Sequence, residues 1–256
     1  MAETTRRGDA ERLAREAAAS GVTLVLAAGG DGTVNEVING LAGLPRAPAV
    51  GVLPLGTANV LARELGLPLD PAAAARVLAH GRVRPVHLGL VNGRRFVMMA
   101  GVGFDARVVA HVRPEAKHRF GRLAYAAATA TVWARGQPAQ YRLTTNGTAL
   151  DVGSVVIANG RYYAGGFVAC PEADLRRPDL ALCLIGSSSR GQILAAALAL
   201  GIGRIVWAPG VSHRMVPAFS IDGPRDEPVQ ADGDIVGTLP ATFSIAPETV
   251  RLLTAA

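Results

Sequence analysis

The amino-acid sequence predicts an α/β N-terminal domain with a parallel sheet, followed by a mostly antiparallel β-sandwich domain with a few helices. Two observations carry this prediction. Between residues 22 and 65 an apolar strand pattern, a glycine-containing loop and a helical pattern follow one another twice, and two such units in a row form a parallel sheet. From residue 85 onward, short strand patterns alternate with turn signals, which is typical of sandwiches and open barrels. We therefore expect one domain at residues 1–84 and a second at residues 85–256.

The first domain opens with a helix and continues through the two repeated units. Residues 10–20 are rich in alanine, and Gly21 ends the helix as glycine commonly does. The repeated units comprise a strand at 22–28, a loop at 29–33, a helix at 34–42, a strand at 49–53, a loop at 54–59 and a helix at 60–65. Pro71 then suits the first turn of a helix at 71–80. Because the loops of parallel strands meet at the carboxyl edge of the sheet, we expect the two loops to lie together.

The second domain is read mainly as strands joined by tight turns. Asn92-Gly93 supplies the positive φ angles of a two-residue hairpin turn between strands at 86–91 and 95–101. A helix follows at 120–135, and Asn146-Gly147 joins a second pair of strands at 141–145 and 150–158. The remaining strand patterns cover residues 166–169, 180–185, 211–221, 229–231, 235–236 and 241–245.

Composition and charge set outer limits on the function. Half of the residues are hydrophobic and 18% are charged, which indicates a folded chain rather than a disordered one. The net charge of +6 suits an anionic partner; nucleic acid, an acidic membrane surface and a general bias toward arginine all account for it. Cys170 and Cys183 lie in apolar surroundings without metal-ligand spacing, so we expect reduced, buried thiols in a cytoplasmic protein.

No segment of the sequence predicts a signal peptide or a membrane span. Residues 1–9 carry charges and no apolar core. The run at 193–205 is strongly apolar, but it is too short to cross a bilayer and includes Arg204. We expect a buried or membrane-touching helix there.

The first loop has the residue types of a phosphate site. Gly29, Gly30 and Gly32 let the backbone approach a ligand, and the helix that follows adds the positive end of its dipole. An anion there would repel Asp31, which therefore fits as a Mg²⁺ ligand or as a group that handles a proton. Short neutral donors that suit phosphate or ribose oxygens stand beside it, at Thr33, Asn35, Thr57 and Asn59. An ordinary turn is the alternative for the first loop alone.

The two loops together resemble the diacylglycerol kinase-like lipid kinases, including their bacterial members. The resemblance rests on Gly29-Gly-Asp-Gly-Thr-Val-Asn-Glu-Val-Ile-Asn-Gly40 and Leu53-Pro-Leu-Gly-Thr-Ala-Asn59. It continues through Ala100-Gly-Val-Gly-Phe-Asp105, Tyr162-Tyr-Ala-Gly-Gly-Phe167 and Asp232-Gly-Asp234, and so covers nearly the whole chain. The core of the first loop is shared with NAD kinases and, with Ser in place of Thr, with phosphofructokinases, whereas the second loop favours the lipid kinases.

This resemblance implies a reaction and roles for particular residues. The first domain would be a nucleotide-binding domain, with ATP lying across it and Mg²⁺ near Asp31. A lipid hydroxyl would enter between the two domains. The family's presumed general base falls at Asp234, where the family usually has glutamate; a hairpin turn without a catalytic role is the alternative. Asp105 is either a ligand-facing residue or the cap of the helix after it. Candidates for an apolar wall along the acyl chains are Met98, Met99, Phe104 and Phe167.

The sequence departs from the family pattern at several positions. Thr4 matches the family's nucleotide-contacting threonine at the end of a second strand, so the chain begins late in the pattern, which puts unaided ATP binding in question and leaves two apolar sheet positions uncovered. Val60 and His87 stand where family members often have aspartate. Arg177 falls where bacterial diacylglycerol kinases hold a structural Mg²⁺ with aspartate, so we expect no structural Mg²⁺ there.

The sequence therefore predicts an ATP-dependent lipid kinase acting on a lipid at a membrane surface. The resemblance implies a cytoplasmic protein, peripheral at the inner membrane face, without a transmembrane segment or a nucleic-acid partner, and it leaves a homodimer open. A non-catalytic lipid- or nucleotide-binding relative is the alternative. An NAD kinase would need further NAD-binding motifs, which we do not find. The acceptor lipid stays open among diacylglycerol, sphingoid bases and ceramide.

Overall fold

A computed structural model describes residues 1–112, 122–136 and 139–255 of the chain. Its helices are α1 (Asp9–Ala19), α2 (Asp31–Leu41), α3 (Val60–Glu64), α4 (Pro71–Ala79), α5 (Phe104–His111), α6 (Arg122–Arg135) and α7 (Arg190–Gly201), with a 3₁₀ turn at Ile205–Trp207. The strands of the N-terminal half are β1 (Leu24–Gly29), β2 (Ala49–Pro54), β3 (Arg82–Val91), β4 (Arg94–Phe96), β5 (Met99–Val102), β6 (Tyr141–Thr145), β7 (Thr148–Val152) and β8 (Ser154–Ala158). The others are β9 (Tyr162–Tyr163), β10 (Phe167–Val168), β11 (Leu180–Ile185), β12 (Val211–Val216), β13 (Ala218–Asp222), β14 (Pro228–Ala231), β15 (Asp234–Thr238) and β16 (Ala241–Thr254).

The parallel strands predicted for the first domain are present and in register. β1 and β2 run parallel from Leu24 opposite Ala49 to Gly29 opposite Pro54, so both strands end at the same edge of the sheet. α2 and α4 pack on this pair, α1 packs on α2, and together they bury an aliphatic core that includes Ile38, Leu41 and Val50. β1 is the edge strand of its sheet, and its Leu24 and Leu26 side chains are exposed.

The first sheet continues from these strands into the second half of the chain. Its order is β1-β2-β16-β13-β6-β7, with β3 paired to β16 and β4 paired to β3. The C-terminal strand β16 makes the connection: its first half pairs with β13, and Leu252 near its end pairs with Val50 of β2. The domain boundary expected between residues 84 and 85 falls inside β3, and it stays a prediction.

A second sheet completes the sandwich. Its strands are antiparallel in the order β12-β11-β8-β5-β14-β15. Side chains from both sheets form one buried core, in which the rings of Phe219 and Phe243 stack with centroids 4.8 Å apart. The predicted fold class, an α/β part followed by a mostly antiparallel part, is confirmed.

Three strands predicted as continuous are each divided in two. The segment 150–158 divides at Gly153, where an added Cβ would lie 2.1 Å from the backbone nitrogen of Ser188, and the chain passes there from the first sheet to the second. The segment 211–221 divides at Pro217, which has no N–H to donate to a ladder. The segment 95–101 divides at Val97 and Met98, whose N–H groups bond to the Asp232 carboxylate instead of a neighbouring strand.

Other element bounds also differ from the predictions. The helix expected from residue 34 begins at Asp31, so most of the first loop is the first turn of α2. The strand expected at 241–245 runs on to Thr254 because its second half pairs with β3. The expected start of a helix at Phe120 lies outside the described residues. Within those residues no helix has the length and apolar character needed to cross a membrane.

Candidate active site

The first loop is a short connection between β1 and the amino end of α2. Gly29 is the last residue of β1, Gly30 precedes the helix, and the amide of Val34 makes the first helical bond, to the Gly30 carbonyl at 3.1 Å. The amides of Gly32 and Thr33 therefore belong to the turn whose donors an α-helix leaves unpaired. A Cβ added at Gly32 would meet nothing within 4 Å. This helix end presents N–H donors and a positive dipole to an open side, as an anion site requires.

The second loop is folded by its own asparagine. The Asn59 Oδ1 accepts the Gly56 amide at 2.9 Å, and its Nδ2 donates to the Gly56 carbonyl at 2.8 Å. Asn59 is buried and has a φ of 49°, a left-handed conformation that asparagine tolerates better than most residues. Both polar atoms of the Asn59 side chain therefore bond within the loop. Thr57, at the tip of the loop, is exposed.

The two loops touch through glycine backbone. A Cβ added at Gly56 would lie 2.4 Å from the Gly30 Cα, and one added at Gly30 would lie 3.2 Å from the Gly56 Cα. No side chain can stand between the loops at this distance. The contact holds the two strand ends as one rigid floor.

Asp31 joins the loops a second time. Its Oδ1 accepts the backbone N–H of Val60 at 2.7 Å and, more weakly, that of Leu61 at 3.4 Å. Asp31 therefore caps α3 across the loops, since Asn59 at the start of that helix does not cap it with its own side chain. Burial raises the pKa of Asp31 above its ordinary value, and the backbone N–H donors oppose that rise.

Asp232 is a polar hub that the sequence did not single out for a role of its own. Its carboxylate accepts the N–H groups of Val97, Met98 and Met99 at 2.6 to 3.0 Å. It also accepts the Nδ2 of Asn35 at 2.5 Å. Asn35 therefore directs its donor at the second domain rather than at the open side of the first loop. This hub fixes α2 relative to the turn that carries Asp234.

The turn carrying Asp234 is a tight hairpin turn, as predicted. Asp232 and Gly233 have φ values of 48° and 80°, as the central residues of a type I′ turn do. Asp234 follows at the start of β15, and its Oδ2 lies 2.7 Å from the Nη2 of Arg7. The segment before α1 therefore reaches the candidate base. Thr4 lies exposed in that segment.

A buried network connects this turn with the β9–β10 hairpin. Tyr163 donates its hydroxyl to Asp105 Oδ1, and Gln230 donates its Nε2 to Asp105 Oδ2 at 2.6 Å. Gln230 in turn accepts the Gly233 amide at 3.0 Å. Burial raises the pKa of Asp105, and burial beside Asp105 raises that of Tyr163. Asp105 is therefore a connecting group between the hairpin and the turn.

A cleft of about 450 Å³ opens beside the second loop. One wall is formed by Thr57, Ala58 and Arg63, and the others come from the β9–β10 hairpin and the end of α7. The hairpin is held to α3 by Glu64, which accepts the amides of Arg161 and Tyr162 at 2.9 and 3.2 Å. The guanidinium of Arg63 donates to the Ala58 carbonyl at 3.3 Å, and among the described residues it has no carboxylate partner. The cleft thus carries a positive charge next to the floor that the two loops form.

The structure gathers most of the predicted site residues and separates a few. Gly29 to Thr33, Thr57 and Asn59 converge where β1 and β2 end, whereas Asn35 bonds to Asp232. Of the predicted acyl-wall residues, Phe167 lines the cleft and Met98 is buried in the same aliphatic core as Ile38 and Val50. Phe104 begins α5. The catalytic and binding roles of all these residues stay predictions.

Three residues near the site were missed by the sequence reasoning. They are Arg7, Arg63 and Asp232. Asp232 stood in the Asp-Gly-Asp triplet, and an aspartate at a positive-φ turn position next to a candidate base was the signal available. Arg7 and Arg63 were indistinguishable from the many other arginines of the chain.

The region around Arg177 is organised by ion pairs. Arg177 Nη2 lies 2.8 Å from Asp179 Oδ2, and Arg176 Nη2 lies 2.6 Å from Asp174 Oδ2. The hydrogen bond from the Arg176 side chain lowers the pKa of Asp174 below its ordinary value. The expectation of no structural Mg²⁺ there stays a prediction.

Comparisons with known proteins agree with the motifs. The sequence profile of the diacylglycerol kinase catalytic domain matches residues 1–91, and that of the YegS C-terminal NAD kinase beta sandwich-like domain matches residues 98–254. A Pseudomonas aeruginosa protein named "Probable lipid kinase YegS-like" is 36% identical over 252 residues, which cover 96% of this chain and 81% of that protein.

Two relatives are named diacylglycerol kinase. One from Mycobacterium tuberculosis is 33% identical over 96% of this chain and 81% of its own length. One from Bacillus subtilis is 46% identical over 48% of this chain and 41% of its own length. A crystal structure of a diacylglycerol kinase from Bacillus anthracis superposes with a TM-score of 0.79 at 25% identity, covering 98% of this chain and 84% of that one. These matches confirm the resemblance seen in the two loops, and the chain belongs to the family of diacylglycerol kinase and YegS-like lipid kinases.

Proposed function

We propose that this chain is an ATP-dependent lipid kinase that transfers the γ-phosphoryl group to a lipid hydroxyl. The observation that carries the proposal is the contact between Gly30 and Gly56, which brings both loops to one edge of the sheet beside the cleft. An open helix end next to a cleft between two domains is suited to holding a phosphate donor against a second substrate.

The residues divide into those that bind phosphate and those that hold the loops in shape. The amides of Gly32 and Thr33 and the hydroxyl of Thr57 would donate to phosphate oxygens, while Asn59 keeps the second loop folded. Mg²⁺, when bound, neutralises phosphate charge, and Asp31 would hold it. The fit is supported by the bonds that Asp31 already makes, since Val60 and Leu61 bond only to Oδ1. One carboxylate plus phosphate oxygens is a common way to bind this ion.

Asp234 would accept the proton of the attacking hydroxyl. As the oxygen of the lipid bonds to the γ-phosphorus, the bond from that phosphorus to the leaving oxygen of ADP breaks, and the hydroxyl proton moves to the carboxylate. Arg7 bonds to Asp234 Oδ2, which supports a fixed orientation of the carboxylate. Positioning and charge neutralisation supply most of the rate in such transfers.

The experiment measures transfer of labelled γ-phosphate from ATP and Mg²⁺ into a mixed lipid extract. Asp234→Asn keeps the shape of the side chain and removes the proton acceptor, so we expect turnover to fall by about 10²- to 10⁴-fold. Asp234→Glu should retain part of the activity, because the family usually carries glutamate there. Asp222→Asn, at an exposed strand position, is the matched control. Full turnover in Asp234→Asn would refute the assignment of the base.

A second pair of variants separates the two uses of Asp31. Asp31→Ala removes the cap of α3 together with the charge, whereas Asp31→Asn keeps an oxygen for the Val60 amide. We expect both variants to lose turnover, and only Asp31→Ala to lose about 0.5–2 kcal/mol of unfolding free energy. Normal turnover in Asp31→Asn would contradict a role for its charge in the reaction.

The non-catalytic alternative has one observation in its favour. Both candidate carboxylates already have protein partners, Asp31 the amides of α3 and Asp234 the guanidinium of Arg7. A binder without turnover would retain lipid from the extract, show no effect of ATP on that binding, and transfer no label. Label in any lipid spot that disappears with Asp234→Asn would exclude it.

A further inference from the structure

Helix α7 leaves a ridge of apolar side chains on the surface. One side of the helix is buried through Ile193 and Ala196. On another side Leu194, Leu198 and Ile202 recur at every fourth position, with exposed fractions of 44%, 63% and 72%. Trp207 in the 3₁₀ turn that follows is 82% exposed. We call these four residues the α7 ridge.

Such a ridge requires an explanation because four exposed, large apolar side chains follow one another on a single helix and the turn after it. Single exposed leucines are ordinary on soluble proteins, but clustered large apolar side chains mark sites of interaction. Trp207 is, after Met1, the most exposed of the described large hydrophobic residues, and tryptophan is enriched where proteins meet the headgroup region of a bilayer. α7 has 12 residues, too few to span a bilayer.

The segment that carries the ridge has charged residues of one sign only. From Leu180 to Ile221 the sequence contains no aspartate or glutamate, while it contains Arg190, Arg204 and Arg214. Arg190 and Arg204 are exposed at the two ends of α7, and neither forms an ion pair with a described residue. An apolar ridge between unpaired arginines matches the acyl region and anionic headgroups of a bilayer.

The same charges disfavour a second copy of the chain as the occupant. In a two-fold interface the same patch faces itself, so the arginines of one ridge would approach those of the other. Like charges brought together in this way oppose association. The charge pattern therefore selects an anionic lipid surface.

The ridge also borders the cleft. Leu200, Gly201, Ile202 and Gly203 line the 450 Å³ cleft together with Thr57 of the second loop and Arg63. A bilayer resting on the ridge would thus lie at the mouth of the cleft. A lipid could then bring its headgroup to the floor that the two loops form, while its acyl chains stay in the membrane.

We infer that the α7 ridge, with Arg190 and Arg204, is the surface that docks this chain onto an anionic bilayer and presents the cleft to it. The claim that a lipid enters the cleft as a substrate rests on the proposed function, whereas docking on the bilayer does not require turnover.

Vesicle binding without ATP tests the docking. The probes are vesicles of phosphatidylcholine alone and vesicles with equal parts of phosphatidylglycerol, in a sedimentation assay. We expect the wild-type chain to bind the anionic vesicles and the double variant Leu198→Gln, Trp207→Gln to bind at least about tenfold more weakly. The double variant Arg190→Gln, Arg204→Gln should lose the preference for anionic vesicles. Leu69→Gln, an exposed leucine outside the ridge, is the matched control.

Several results would overturn the inference. They are an absence of wild-type binding, equal binding by the ridge variant and the control, or a ridge variant that changes only the oligomeric state in sedimentation velocity. Phosphoryl transfer to lipid in detergent micelles keeps the two proposals apart. If a ridge variant transfers label in micelles but binds vesicles weakly, the docking inference is supported. If the wild-type chain transfers no label in micelles, the proposed function is refuted, and the vesicle result still tests docking.

Discussion

Replacing Gly56 by alanine tests whether the two loops depend on their backbone contact. The added Cβ would lie 2.4 Å from the Gly30 Cα and 2.8 Å from the Asn59 Oδ1. The first of these neighbours is backbone and cannot rotate away. The second is the side chain that folds the loop, so moving it breaks its two bonds to Gly56.

The expected cost follows from overpacking set against chain entropy. Extra carbon in a tightly packed place costs about 1–3 kcal/mol. Gly56 is not among the glycines with positive φ, so alanine gains about 0.4–1 kcal/mol by restricting the unfolded chain. The net loss of unfolding free energy is therefore about 1–2 kcal/mol, and each kcal/mol lowers the midpoint of thermal unfolding by about 2–4 °C in a chain near this size.

Gly32→Ala is the matched control for this experiment. Gly32 lies in the first turn of α2, and a Cβ there meets nothing within 4 Å. Alanine in a helix is favoured over glycine by about 0.5–1 kcal/mol, so this variant should unfold at a higher urea concentration than the wild type. Urea unfolding of the three proteins measures both effects. Equal stability of Gly56→Ala and Gly32→Ala would refute the contact as a constraint.

The remaining predictions concern charged groups. Hydrogen bonds, first from the Thr5 backbone, lower the pKa of Asp9 from 3.8 to about 2. The ionised Asp9 therefore stabilises the fold above pH about 4, and this contribution is lost as the pH falls through about 2. Asp9→Asn should lose less stability in urea over that pH window than the wild type, and an equal loss would contradict the argument. Arg107→Met leaves the Glu227 carboxylate, which is 4% exposed, without its cation and should lower the unfolding free energy by about 3 kcal/mol. Arg142→Met breaks an exposed ion pair and should lower it by less than about 1 kcal/mol. Equal losses in thermal unfolding would count against burial as the cause of the difference. Replacing Asp232 by alanine leaves several N–H donors without an acceptor and should cost more than about 2 kcal/mol, measured in the same way; a smaller loss would show that water replaces the carboxylate.

The repeated units could be predicted because their information is local. In each unit an apolar strand, a glycine-containing loop and a helical pattern follow one another directly along the chain, and steric rules connect the glycine positions to a turn type and a helix end. The hairpin turns at Asn92-Gly93 and Asn146-Gly147 are recovered for the same reason: both asparagines and both glycines have positive φ.

What the sequence did not predict depends on long-range pairing. The second half of β16 lies beside β3, and its Leu252 pairs with Val50 of β2, about 200 residues earlier. The local sequence pattern of β16 does not indicate either partner. The division at Val97 and Met98 has the same origin, since their N–H groups bond to Asp232 on a distant hairpin. In both places a tertiary contact overrides a strand pattern that is locally continuous.

The polar residues of the loop motifs have different uses from those that residue type alone suggests. Asn59 bonds to Gly56, Asp31 caps α3 and Asn35 bonds to Asp232, so three of the groups predicted as ligand contacts bond to other parts of the protein. Under the proposed function, phosphate recognition would then fall mainly to backbone N–H groups and to Thr57. Selection of the lipid acceptor would then come from the other walls of the cleft, which the β9–β10 hairpin, the end of α7 and Arg63 line. Relatives with the same two loops can therefore differ in their lipid, and exchanging the β9–β10 hairpin between them should change the acceptor and leave the use of ATP unaltered.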